Sequence, residues 1–287
     1  MLAFKTVKGL EDHLKTLENK DFKIGFVPTM GALHQGHISL VNEAKAICDI
    51  TICSIFINPR QFNVASDLTN YPRTLEQDIK QLHDAGCDIL FHPEADDIYS
   101  RHTDTSFDFE GIDGKLEGKH RPGHFDGVAS IVHRLFDIVK PEHAFFRLKD
   151  YQQCMIVDRI VKQSHPAIKL HFCPIIREED GLAMSSRNRR IMPEHRPQAA
   201  VIYQTLLQLK QDFNTQPLPT LKKQALNQLE SVPEITVDYF EVVNAQTLDP
   251  ASNPDDAENI IALVAVNIGG VRLIDNMFMK KQEGYYA

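Results

Sequence analysis

The sequence is short of positive charge. Its 31 lysines and arginines face 39 aspartates and glutamates, a formal net charge of −8 over 287 residues. That balance argues against broad contact with nucleic acid or with an anionic membrane surface, and leaves an anionic substrate dependent on local cations. Long apolar runs are missing too. No stretch reaches membrane-spanning length, and the opening Met1-Leu2-Ala3-Phe4-Lys5 lacks the apolar core of a signal peptide. The five cysteines, at 48, 53, 87, 154 and 173, form no Cys-x-x-Cys pair and sit mostly in apolar runs. They read as buried free thiols of a reducing compartment, and a cytoplasmic location is the expectation. Also absent are any internal repeat, any low-complexity tract and the Gly-Lys-Ser/Thr ending of a Walker A loop.

What is present is an alternation of short apolar runs with helical periodicities. Val7, Leu10, Leu14 and Leu17 are spaced for an amphipathic helix over residues 7–19. A strand, a helix and a β-branched strand over 24–27, 38–48 and 51–57 make a βαβ unit. Further pieces follow as a helix at 72–85, a strand at 88–91, a helix at 128–139, a strand at 143–146, a helix at 151–163 and a strand at 170–176. Between 93 and 125 the text is irregular and glycine-rich, a connection long enough to read as a functional loop or lid. This alternation predicts a Rossmann-like, doubly wound parallel sheet over residues 1–175. Beyond it, two helices over 197–230 and three strands at 235–243, 260–266 and 271–274 predict a smaller α+β domain over 176–287, with Gly269-Gly270 as a hairpin turn.

Three clusters stand where such a fold could do chemistry. The first, Pro28-Thr29-Met30-Gly31-Ala32-Leu33-His34-Gln35-Gly36-His37, joins the first long strand to its helix. Its two imidazoles would lie on one side of the first helical turn, beside unpaired backbone N–H groups and the positive end of the helix dipole, a site for phosphate. The second, Lys149-Asp150-Tyr151-Gln152-Gln153, opens another helix after a strand. There Lys149 suits a phosphate, Asp150 ribose hydroxyls and Gln153 a polar substrate. The third, Met184-Ser185-Ser186-Arg187, offers hydroxyls and a guanidinium to a triphosphate. Singly, each is explained as a surface turn, a solvated cap or a serine-rich loop. Three phosphate-type loops in one acidic protein are harder to dismiss.

These stretches, with Asn58-Pro59-Arg60-Gln61-Phe62, Tyr71-Pro72-Arg73, Leu116-Glu117-Gly118, Arg121-Pro122-Gly123-His124-Phe125, Asp180-Gly181-Leu182-Ala183 and Arg272-Leu273-Ile274-Asp275-Asn276, run in order along the chain. Together they resemble the pantoate-β-alanine ligases, or pantothenate synthetases, over essentially the whole length. The resemblance implies an ATP-dependent ligation of pantoate to β-alanine through a pantoyl adenylate, with AMP and pyrophosphate released, Mg²⁺ present and a homodimer formed through the first domain. By it, Met30, Gly31, Ala32, Leu33, His34, Gln35, Gly36 and His37 line the ATP site. His34 and His37 donate to phosphates, and His37 is the proton donor. Lys149, Ser185, Ser186 and Arg187 balance triphosphate charge, Asp150 takes the ribose, and Ile176 and Met184 border the nucleotide. Gln61 and Gln153 hold pantoate, and Gln61 also meets β-alanine. The implied chemistry needs no protein nucleophile, in keeping with the lack of a Ser-His-Asp or Cys-His arrangement.

One departure counts against this. The family has glycine, then Glu or Gln, before Lys-Asp, where this chain has Arg147-Leu148. A side chain at 147 would crowd the nucleotide. Two alternatives follow: a related nucleotidyltransferase that makes no amide, and a nucleotide-binding protein impaired in turnover by Arg147.

Overall fold

The computed structural model describes residues 1–17, 21–99 and 105–285. The chain divides into two compact units, one of Met1–Leu148 with Gln152–Pro174, the other of Lys149–Tyr151 with Ile175–Ala287.

The first unit is built on six parallel strands, β1 (Leu2–Phe4), β2 (Ile24–Thr29), β3 (Ile50–Ile55), β4 (Ile89–Phe91), β5 (His143–Arg147) and β6 (Lys169–Cys173), in the order β1-β4-β3-β2-β5-β6. Consecutive residues of β3, Thr51 to Ser54, are all buried, which is why that strand reads as a continuous run rather than an alternation. Around the sheet stand α1 (Val7–Lys15), α2 (Gln35–Ile47), α3 (Ala65–Thr69), α4 (Leu75–Asp84), α5 (Ala95–Tyr99), α6 (Leu116–His120), α7 (His124–Val139) and α8 (Tyr151–Ser164). Val27, Leu33, Val41, Cys53, Leu82, Leu90 and Phe145 form one of its apolar clusters. All five cysteines are free, and burial pushes the Cys87 thiol up to about 11 and Cys173 to about 12.

Several expectations need correction. Helix α1 ends at Lys15, and the predicted extension to 19 reaches residues outside those described. The irregular stretch 93–125 contains α5, α6 and the start of α7 on its described part, while residues 100–104 lie outside it. Helix α7 starts at His124, not 128, so part of the proposed lid is the first turn of a long buried helix. Helix α4 starts at Leu75, three residues past Pro72.

The second unit holds α9 (Val201–Asp212), α10 (Leu218–Glu230) and an antiparallel sheet β7-β8-β9 (Ile235–Asn244, Ile260–Ile268, Val271–Lys280). Strand β9 runs six residues past its predicted end. Gly269 and Gly270 turn the β8–β9 hairpin at φ +54° and +79°, backbone that glycine adopts without Cβ strain. Leu206, Leu221, Phe240, Val264 and Leu273 are among the residues of this unit's own core.

Candidate active site

In the first unit the chain proceeds from β2 outward through β3 and β4, then returns to place β5 on the other side of β2. The carboxyl ends of β2 and β5 therefore flank the point where strand order reverses, the place where open α/β sheets hold ligands. The histidine loop leaves β2 here. Gly31 and Ala32 both take positive φ, +79° and +49°, and reverse the chain. Their conformation is held from α4: Asp78, 1% exposed, accepts the Ala32 N–H at 2.9 Å, the Leu33 N–H at 2.8 Å and the Thr74 hydroxyl at 3.0 Å. Three donors offset the desolvation of one buried carboxylate. The Leu33 side chain is fully buried in the core, so at this position only the backbone can face a ligand.

His34 then caps α2. Its Nδ1 accepts the Gly36 N–H at 3.1 Å, so a neutral ring carries its proton on Nε2 and donates from there. Its carbonyl takes the N–H of His37 at 2.8 Å and of Ile38 at 3.2 Å. This corrects the expectation of unpaired backbone donors, because the first-turn N–H groups of residues 36, 37 and 38 are used within the loop. What this turn presents is the pair of imidazoles, whose ring centroids lie 4.1 Å apart, at the positive end of the helix dipole. Gln35 is exposed, and the rings at 34 and 37 are half-buried.

Arg147, at the carboxyl end of β5, is buried and reaches the same turn. Its Nη1 lies 1.8 Å from where a Cβ on Gly36 would stand, so the guanidinium tip rests directly on that glycine. The departure from the family pattern thus points into the histidine loop.

Gln61 is buried in the first unit and oriented on every side. Its Nε2 donates to the Met30 sulfur at 3.0 Å, and its Oε1 accepts from Asn58 Nδ2 at 3.2 Å. Its carbonyl meets His124 Nδ1 at 2.8 Å and accepts from Arg121 at 3.3 Å. Asn58 is itself held by the Gly127 carbonyl at 2.9 Å and the Tyr99 hydroxyl at 2.7 Å. Gln152 serves a different purpose from its neighbour Gln153. It is buried, donates to the Ile112 and Lys115 carbonyls at 2.6 and 2.9 Å, and accepts the Glu117 N–H at 3.0 Å. The start of α6 is thereby tied to α8, while Gln153 is only half-buried.

In the second unit, Lys149 is buried with its ammonium 3.2 Å from Asp150 Oδ1, and its carbonyl accepts from Asn276 Nδ2 at 2.9 Å. Residues 176–184 form a short hairpin, with Met184 N–H donating to the Ile176 carbonyl at 3.0 Å and Arg177 bridged to Ala183. It delivers Ser185 to the start of a 3-10 turn, where the Ser185 hydroxyl accepts the Arg187 N–H at 3.3 Å and keeps its own proton to donate. Arg177 anchors the hairpin through both oxygens of Asp275, at 2.6 and 3.1 Å, through the Gly181 carbonyl at 3.0 Å and by stacking on Tyr203 at 4.5 Å. Burial pushes the Asp275 carboxyl up, and the Arg177 guanidinium pulls against that shift.

Asp78, Asn58, Gln152, Arg177 and Asp275 were not assigned roles from the sequence. Asp78 alone had a local signal: it lies four residues before Leu82, on the apolar face of α4, where a carboxylate is out of place.

A family model described as Pantoate-beta-alanine ligase matches residues 2–278. A pantothenate synthetase of Flavobacterium psychrophilum is 42% identical over 282 residues, covering 98% of this chain and 100% of that protein. One from Cytophaga hutchinsonii is 43% identical over 281 residues, covering 96% and 99%. Among solved structures, pantothenate synthetase from Thermus thermophilus matches with a TM-score of 0.91 and 37% identity, covering 98% of this chain and 100% of the other. A ligase from Francisella tularensis, described as complexed with beta-gamma ATP and beta-alanine, gives a TM-score of 0.82 and 36% identity over 98% and 99%.

Proposed function

The chain belongs to the pantoate-beta-alanine ligase family, and from that premise we propose how its own residues join pantoate to β-alanine. The overall reaction is the ATP-dependent condensation of the two to pantothenate, with AMP and pyrophosphate as the other products. A pantoate carboxylate oxygen attacks the α-phosphorus of ATP, the bond to the β-phosphate oxygen breaks and pyrophosphate leaves. The amine of β-alanine then attacks the acyl carbon, loses a proton and expels AMP.

The observation that carries this reading is the paired imidazoles of His34 and His37 at the strand-order reversal of the first unit. Donors fixed there stabilise charge that develops as pyrophosphate departs. His34 donates through Nε2, and His37 is the proton donor to the phosphates. Met30, Gly31, Ala32, Leu33, Gln35 and Gly36 complete that wall of the nucleotide. Lys149, Ser185, Ser186 and Arg187 supply the balancing charge and hydroxyl protons, Asp150 takes the ribose, and Ile176 and Met184 border the nucleotide. The fixed amide of Gln61 and the half-buried Gln153 hold pantoate, with Gln61 also meeting β-alanine. Asp78 commits both oxygens to Ala32, Leu33 and Thr74, so it offers Mg²⁺ no open carboxylate. Mg²⁺ enters as the counter-ion of the nucleotide phosphates. No helix of the described residues is long and apolar enough to cross a membrane. The reading includes a cytoplasmic homodimer formed through the first unit.

Pyrophosphate release should require ATP, Mg²⁺ and pantoate, and amide formation should require β-alanine in addition. A stable adenylylated product with no need for β-alanine would favour the nucleotidyltransferase, and absence of turnover from folded protein the impaired reading. The family match favours neither.

Arg147 weakens ATP binding in this proposal, because the nucleotide must lift its tip from Gly36. What must move is the end of a flexible side chain, which keeps the cost small. Re-ordering one long side chain costs about 0.5–1.5 kcal/mol, so Arg147→Gly should bind ATP roughly two- to tenfold more tightly. Calorimetric titration of both proteins with a non-hydrolysable ATP analogue measures this, and equal affinities would clear Arg147 of the role.

A further inference from the structure

Away from the histidine loop, the first unit gathers a second set of imidazoles. His133 and Asp137 lie one turn apart on α7, and His165 directly follows α8. His133 Nδ1 and His165 Nε2 face each other at 2.8 Å. The Asp137 carboxylate comes to 3.7 Å from His133 Nε2 and 3.9 Å from His165 Nε2. One ligand atom from each residue can be chosen so that all lie within 4.8 Å of one another. Phe107 packs edge-on against the His133 ring at 5.3 Å and Phe136 against the His165 ring at 5.4 Å, which fixes both rings in place. The side chains of His133 and His165 are 14% and 13% exposed, whereas that of Asp137 is 44% exposed, so the set is walled on the protein side and open on the carboxylate side.

We propose that His133, Asp137 and His165 form a binding site for a first-row divalent transition metal such as Zn²⁺, with its fourth position taken by water. Two imidazoles and a carboxylate are a donor set suited to zinc, nickel or copper, and poorly suited to Mg²⁺ or Ca²⁺, which take oxygen ligands. Tetrahedral bonds of 2.0–2.1 Å place ligand atoms about 3.3 Å apart. With His133 Nδ1 and His165 Nε2 as ligands, the imidazoles therefore open by about half an ångström from 2.8 Å, and the carboxylate oxygen, in a set whose atoms lie within 4.8 Å of one another, closes by at most about 1.5 Å. Two ring nitrogens at 2.8 Å are otherwise a single N–H···N bond, with no call on the carboxylate. The ion would clamp α7 to the end of α8. Both helices run back toward the amino ends of β5 and β6, whereas the histidine loop stands at the carboxyl end of β2, so the site is separate from the chemistry.

The test uses the full chain stripped of metal and titrated with Co²⁺ as a spectroscopic probe. One equivalent should produce the intense visible ligand-field bands of tetrahedral cobalt, and Zn²⁺ should displace it and raise the melting temperature. His165→Gln should abolish the bands. Asp137→Asn, a change at an exposed position that leaves the fold intact, should weaken binding by at least about tenfold, the lower end of what loss of a supporting partner costs a metal site. Ligase turnover should be unchanged in both variants. No tetrahedral bands in the parent protein, or bands that survive His165→Gln unaltered, would overturn the proposal and leave a plain imidazole pair.

Discussion

Replacing His37 by alanine should lower turnover by about 10² to 10³, the scale of losing one fixed donor to charge that develops in the transition state. His37 is a cleaner probe than His34. The His34 ring also caps α2 through Gly36, so its removal would mix lost catalysis with a loosened helix start. The side-chain cap of α2 is His34's, and the His37 backbone N–H bonds the His34 carbonyl whatever side chain it carries. The variant should therefore fold and melt like the parent. Because the donor matters most as pyrophosphate leaves, kcat should fall much further than KM for ATP rises. Steady-state pyrophosphate release measures both, and activity within a few-fold of the parent would remove His37 from its assigned role.

The largest expected loss of stability lies at Asp275. Its side chain is 1% exposed, and it accepts from Arg177 twice and from the Asn276 N–H at 2.7 Å. Asp275→Asn keeps the shape but leaves the half-sequestered guanidinium of Arg177 without its counter-charge. Breaking such a pair from one side costs about 3–5 kcal/mol, a large share of ordinary folding stability. The shift should show in urea denaturation of the second unit. It should be accompanied by a raised KM for ATP, because Arg177 also holds the hairpin that carries Ser185 and Ser186. Replacing both partners by apolar residues of similar volume, Arg177→Met with Asp275→Leu, should recover much of the stability but not the KM. Equal urea midpoints for Asp275→Asn and the parent would show that the pair is not what holds the hairpin.

Much of this was legible in the residues. Runs that are mostly apolar and do not alternate, such as Ile50–Ile55, mark strands buried on both faces, and the spacing of Leu40, Val41 and Ala44 marks the inner side of α2. The motif-bearing loops were found because their residues are adjacent in the chain. What escaped were pairings across distance. Asp78 lies 46 residues from the Ala32 N–H it accepts, and Arg177 lies 98 from Asp275, so no local periodicity could connect them. Strand β1 escaped for another reason: it has three residues and is defined by pairing with β4, not by any pattern of its own. The backbone donors of α2 are taken up because His34 is a cap, a role that histidine, unlike Ser or Asp, does not announce by residue type.

The division of the chain has a bearing on its synthesis. The backbone passes into the second unit for Lys149–Tyr151, returns for Gln152–Pro174 and enters again at Ile175. The Lys149 carbonyl is bonded by Asn276 on β9, and the Tyr151 hydroxyl donates to the Ala245 carbonyl at 2.7 Å. As the ribosome extends the chain, those three residues emerge more than a hundred positions ahead of β9. The Lys149 carbonyl gains its Asn276 partner only when that last strand has been made, and no single cut releases two complete halves.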